Sequence, residues 1–164
     1  MTVTNKIGLS MTMPEGKLPG FYAQIVKALA GRTQLFDRDK EMLIVSTEDD
    51  RSAVLEVLRQ YKVETEPFML FLLPEDTSVT ALFDDYGFMT KLDNRYLYAN
   101  LVTLFTLRTS TPEAEPVQAL EQLGEVLVAA IPTAGDGMLY AADRQHDELI
   151  ARIAAAYGCK AEFR

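Results

Sequence analysis

The 164 residues include one cysteine, one histidine and no tryptophan. A lone thiol cannot close an internal disulfide, so nothing points to an oxidising compartment and a reducing cytoplasm fits best. Positive charge is scarce: 16 Lys and Arg against 24 Asp and Glu give a net charge of −8 and a pI near 4.7. Phosphate backbones are bound by clustered Lys and Arg that release counterions, so nucleic acid is not an expected partner. Long apolar runs are missing as well. The longest, Phe68 to Leu73, falls far short of the roughly 18 residues a membrane span needs, and the first 17 residues lack the charged head and apolar core of a signal peptide. The chain is therefore expected to be soluble, with no membrane partner. Catalytic signatures are absent too: no G-x-S-x-G elbow, Walker loop, dinucleotide fingerprint or paired Cys or His at metal spacing. The expectation is a non-catalytic protein without cofactor or metal.

What is present is globular composition, 48% hydrophobic and 24% charged, with enough chain for one domain or two small ones. Lys6 to Met13 alternate like a half-buried strand and stop at a turn, Pro14 to Gly16. Phe21, Ile25, Val26 and Leu29 recur at helical spacing, and Gly31 ends that helix. "TQLFDRDKEMLIVST" reads as a hairpin about Asp37 to Lys40. Thr47 caps the next helix, with Asp50 three places on, and Val54, Val57, Leu58 and Tyr61 form its apolar stripe. "FMLFLLP" does not alternate, as expected of a strand covered on both faces. In residues 75–94, Val79, Leu82, Phe83 and Tyr86 predict two turns of connector helix, capped by Asp76 or Thr77 and stopped by Gly87. "RYLYANLVTLFTLRT" reads as one long strand, and "VQALEQLGEVLVAAI" as a helix through Val117, Leu120, Leu123 and Leu127. A turn at Ala134 to Gly137 follows.

An offset of 96 positions carries Met42 and Leu43 onto Met138 and Leu139, and Thr47 onto Asp143. It also carries Ala53, Val54, Val57, Leu58 and Tyr61 onto Leu149, Ile150, Ile153, Ala154 and Tyr157. A shared cap and stripe register predict a shared scaffold. The expected fold is α+β: two ferredoxin-like βαββαβ units, each an antiparallel sheet with helices on one face. They would occupy residues 1–74 and 95–164, joined by a connector helix and loop at 75–94. The repeat gives the two rare residues structural places. His146 falls on Asp50 in a first helical turn, and Cys159 falls on Val63 at the start of a strand. Thirteen residues of helix at about 1.5 Å each hold them roughly 20 Å apart, so they cannot form a dyad. Asp37, Asp39 and Glu41 alternate like the first ligands of a calcium loop, but Met42 stands where that loop needs glycine.

"IGLSMTMPEGKLPGFYAQIVKALAG" followed by "EMLIVSTEDDRSAVLEVLRQYKV", spanning about residues 6–66, resembles an ACT domain, with Pro19-Gly20 as the motif. That family is a βαββαβ module in which a Pro-Gly turn lines an amino-acid site. The resemblance implies a small-molecule sensor with Gly20 at the ligand. Lys17 and Leu18 stand where an acid usually precedes the turn, and the second half has Pro116 without a glycine.

Strands apolar on both sides, Phe68 to Leu73 and Leu101 to Leu107, need covering by the other unit, the connector, a second copy or a target. Surface recognition follows as the leading expectation: an acidic inhibitor, immunity or regulatory factor that occupies a partner protein with a basic surface, a homodimer being a further way to cover the strands. Asp84, Asp85, Tyr86 and Phe88 of the connector combine acidic and aromatic side chains as such a patch requires. A third reading, a carboxylate-dependent enzyme, requires acids such as Asp49 with Asp50, or Glu113 with Glu115, to converge in a cleft.

Overall fold

The computed structural model describes residues 2–13 and 20–164. The turn expected at Pro14 to Gly16, and Pro19 of the Pro-Gly motif, lie outside the described residues. The chain divides into two compact units. One comprises Asn5–Phe71 and Met89–Asn94; the other comprises Leu72–Phe88 and Arg95–Arg164, with the few residues before Asn5. The class is α+β, with two antiparallel sheets and five α-helices among the described residues. Among the described residues no helix is long and apolar enough to cross a membrane.

In the first unit the elements run β1 (Thr4–Thr12), α1 (Gly20–Ala30), β2 (Asp37–Asp39), β3 (Met42–Val45), α2 (Glu48–Gln60) and β4 (Glu64–Leu72). The strands lie in the order β2-β3-β1-β4. Alternation along β1 turns Ile7, Leu9 and Met11 to one face, and β3 pairs with it antiparallel, Ile7 opposite Val45 and Leu9 opposite Leu43. Ile25 and Leu29 of α1 and Val54, Val57 and Leu58 of α2 join these side chains in one core, so both helices cover the same face. The helical stripe is therefore the inner surface of the unit. α2 starts where its cap dictates: the Thr47 hydroxyl accepts from the Asp50 amide at 3.0 Å. It ends at Gln60, and two residues on Lys62 turns into the left-handed region at φ 56° while the Val63 amide reaches back to the Leu58 carbonyl. The hairpin turns two residues later than the middle of Asp37 to Lys40, at Lys40 and Glu41, with Lys40 also left-handed. β4 is less covered than its apolar sequence implies, since Leu70 is buried but Met69 is 49% exposed.

The second unit contains β5 (Ser78–Val79), α3 (Phe83–Tyr86), β7 (Arg95–Tyr98), β8 (Val102–Thr109), α4 (Pro116–Leu123), β9 (Leu127–Pro132), β10 (Met138–Asp143), α5 (Asp147–Ala156) and β11 (Cys159–Phe163); β6 (Gly87–Met89) precedes β7. Its sheet has the order β11-β8-β10-β9-β5. Phe105, Leu123, Leu127, Ala142, Ile150 and Ile153 form its core.

Three elements differ from the sequence expectation. The connector is helical only over Phe83–Tyr86, because Ser78 and Val79 pair with Ala130 and Ala129 as an edge strand. The long strand is two, broken by a turn in which the Leu101 amide donates to the Tyr98 carbonyl. The helix predicted for "VQALEQLGEVLVAAI" stops at Leu123, and "LVAAIP" forms β9, Leu139 opposite Ile131. Gly124 is still helical, its amide bonded to the Leu120 carbonyl, and the strand that follows, Leu127–Pro132, pairs with β10 around an irregularity at Ala141/Ala142.

The offset of 96 aligns some element boundaries and misses others, such as the starts of α2 at Glu48 and α5 at Asp147. It carries the first residue of α1, Gly20, onto that of α4, Pro116; the first of β3 onto that of β10; and the last of α2, Gln60, onto that of α5, Ala156. Lys62 falls on Gly158, and both have positive φ, 56° and 71°. Thr47 falls on Asp143, whose carboxylate accepts from the Gln145 amide at 2.8 Å.

Candidate functional site

The connector acquires its shape from Phe83, which is buried and starts a single helical turn closed by Phe83 N–H to Thr80 O and Asp85 N–H to Leu82 O. With that ring inward, the neighbouring Asp84 and Asp85 point to solvent. Neither takes part in an ion pair among the described residues. Gly87 follows because nothing larger fits: a Cβ there would lie 2.1 Å from the Tyr96 carbonyl oxygen. This close approach of β6 to β7 fixes the two aromatic neighbours.

Tyr86 donates its hydroxyl to Asp143 Oδ2 at 2.6 Å, while Asp143 Oδ1 accepts from the Gln145 amide. Phe88 stacks on Tyr96 with ring centres 5.2 Å apart at 23° and tilts against Tyr98 at 5.4 Å. Both aromatic side chains stay half-buried, with part of each ring at the surface. The Asp143 hydrogen bond is the main cause that pushes the Tyr86 hydroxyl up to about 12 from its ordinary 10, and burial and the charges of Asp143 and Asp85 add to it. The same bond, then the Gln145 amide and the neighbouring His146, hold the Asp143 carboxyl below its usual range against a small opposing effect of burial.

The four connector residues expected to act together thus share one short segment, with two acids outward and two aromatics held by specific partners. Those partners, Asp143, Tyr96 and Tyr98, were not expected. Tyr96 and Tyr98 carried a signal in the alternation of "RYLY", which sets them two apart on a strand. Asp143 carried only its helix-capping role.

Gly20 opens α1 and is exposed, with no atom within 4 Å of a Cβ built on it. Space therefore does not require glycine there. His146 closes a 3-10 turn, Arg144–His146, and its Nδ1 is buried without a hydrogen-bond partner among the described residues. Cys159 is buried at the start of β11, its thiol 3.6 Å from the Tyr157 carbonyl. The ten residues of α5, about 15 Å at about 1.5 Å each, lie between them. Asp37, Asp39 and Glu41 go separate ways. Asp37 is buried and accepts from Thr90 Oγ1 at 2.7 Å, Asn94 Nδ2 at 2.9 Å and its neighbour's amide, whereas Glu41 faces solvent.

No protein-family model matches the chain, and neither does any curated protein or solved structure.

Proposed function

We propose that the chain is a non-catalytic binding protein that occupies a partner protein through Asp84, Asp85, Tyr86 and Phe88. The observation that carries this reading is the contrast within four consecutive positions and one beyond. The acids are exposed and, among the described residues, form no ion pair, while the aromatics beside them are held by the Asp143 hydrogen bond and the Tyr96 and Tyr98 rings. Aromatic side chains ordered in advance lose little entropy on binding, and unpaired acids steer a basic partner toward them. The net charge of −8 acts in the same direction.

The scaffold under this face is, in the same proposal, a tandem pair of ferredoxin-like units. Two observations support it: in each half the sheet order is last, first, third, second strand, and each half holds a left-handed residue at the equivalent helix end. A repeated scaffold accounts for His146 and Cys159 as structural residues.

The test is paired capture from a lysate of the cells that make the protein. Immobilised wild type is expected to retain a discrete basic protein at low salt and less of it at high salt, and the Asp84→Lys/Asp85→Lys variant is expected to retain none. Equal retention by both, or no enrichment by wild type, overturns the proposal.

A further inference from the structure

A cavity of about 700 Å³ opens beside α1, and every described residue lining it belongs to the unit of Asn5–Phe71 and Met89–Asn94. Four cations meet on its wall from three separate segments: Lys27 from α1, Arg38 and Lys40 from the β2–β3 hairpin, and Lys91 from the turn between β6 and β7. Among the described residues Asp39 is the one acid on the wall. Across the chain acids outnumber bases 24 to 16; among the described residues of this wall the ratio is reversed, four bases to one acid. None of the four cations forms an ion pair among the described residues.

The wall is built, not a chance meeting of surface side chains. Tyr22 donates its hydroxyl to the Lys40 carbonyl at 2.7 Å, tying α1 to the hairpin turn, and the Arg38 guanidinium lies over its ring at 6.0 Å. The buried Asp37, next to Arg38, binds Thr90 and Asn94, the two residues that bracket Lys91. One buried carboxylate therefore holds the hairpin and the Lys91 turn in fixed register. Like charges gathered in excess of acids repel, and a concave wall focuses their field on whatever enters.

We propose that this cavity binds a small organic phosphate. Its volume lies in the range of small-molecule sites and far exceeds what an inorganic anion fills. Several cations call for more than one negative charge, and an arginine fork beside lysine point charges suits phosphate oxygens. The apolar part of the wall, from Val26 and the alanines of α1, leaves room for the organic body. This function is separate from the connector face and does not rest on it. Gly20, the residue the ACT resemblance singles out, does not line the cavity.

The test is isothermal titration of the full chain with pyrophosphate, a sugar bisphosphate and adenosine triphosphate, with the unphosphorylated sugar and adenosine as controls. At least one phosphorylated probe is expected to bind saturably at one site, and the controls are not. Lys27→Gln, Arg38→Gln and Lys91→Gln should each raise its Kd about tenfold, as loss of one charge-assisted hydrogen bond does. Lys160→Gln, which removes an exposed cation on β11, should leave Kd unchanged. Lys91 is exposed on a turn, so its variant tests the site without endangering the fold, which circular dichroism checks. Absence of saturable binding by every phosphorylated probe, pocket variants that bind like wild type, or equal weakening by Lys160→Gln would each overturn the proposal.

Discussion

Asp37 is 5% exposed and supplies acceptors to Thr90, Asn94 and the Arg38 amide. Removing it leaves buried donors without a partner, which costs more than the bonds themselves contribute. Asp37→Ala should lower stability by about 2–4 kcal/mol in urea denaturation, whereas replacing Glu41, which is exposed, should change it by less than about 0.5 kcal/mol. The sequence showed three alternating acids but not which of them is buried, because the partners of Asp37 lie 53 and 57 positions away. Tyr86 and Asp143 make a second expectation at this scale. Asp143 has a folded value below its unfolded one, so its contribution is present above the usual carboxylate range and is lost as pH falls through the lowered value. Tyr86 has the opposite sign: its contribution is complete below pH 10 and is lost as pH rises toward about 12. An absorbance titration should find one tyrosine ionising near pH 12, and Asp143→Asn should return it toward 10.

Among the elements, those whose signals are local were legible. Thr47 and the Val54, Val57, Leu58 stripe needed only α2 itself, and the structure shows the cap and the burial that the spacing implies. β9 was not legible, because Leu123 and Leu127 continue the four-residue spacing of α4 and both are buried. A strand covered on both faces has no alternation to contradict a helix. β5 is two residues long and is defined by pairing with Ala129 and Ala130, some fifty positions on, so no local pattern reveals it. The equivalent left-handed ends of α2 and α5 yield an opposed pair of expectations. Gly158→Ala should destabilise by about 1–3 kcal/mol, since an L side chain at φ 71° is strained and its Cβ would lie 2.5 Å from Thr111 Oγ1. Lys62→Gly should stabilise by about 0.5–1 kcal/mol by relieving the same strain. Chemical denaturation midpoints of the two variants check both.

On the scale of the whole molecule, the excess of acid was readable from composition, and its local reversal was not. The four cations of the cavity come from positions 27, 38, 40 and 91, and only folding gathers them. The connector patch was legible as a cluster of types, two acids and two aromatics within five residues. What holds its rings could not be read, because Asp143 is 57 positions from Tyr86. If the acids act by steering, association with a partner should slow severalfold between low and physiological salt while dissociation changes little, which stopped-flow or surface binding kinetics would measure. The most direct measurement is photo-cross-linking in the cells that make the protein, with a photoreactive side chain at position 85 and, as a control, at Val117, which is 65% exposed on α4. The expected result is one adduct of discrete mass from position 85 and none from position 117. Adducts from position 117 alone, or from neither position, would contradict recognition through the connector.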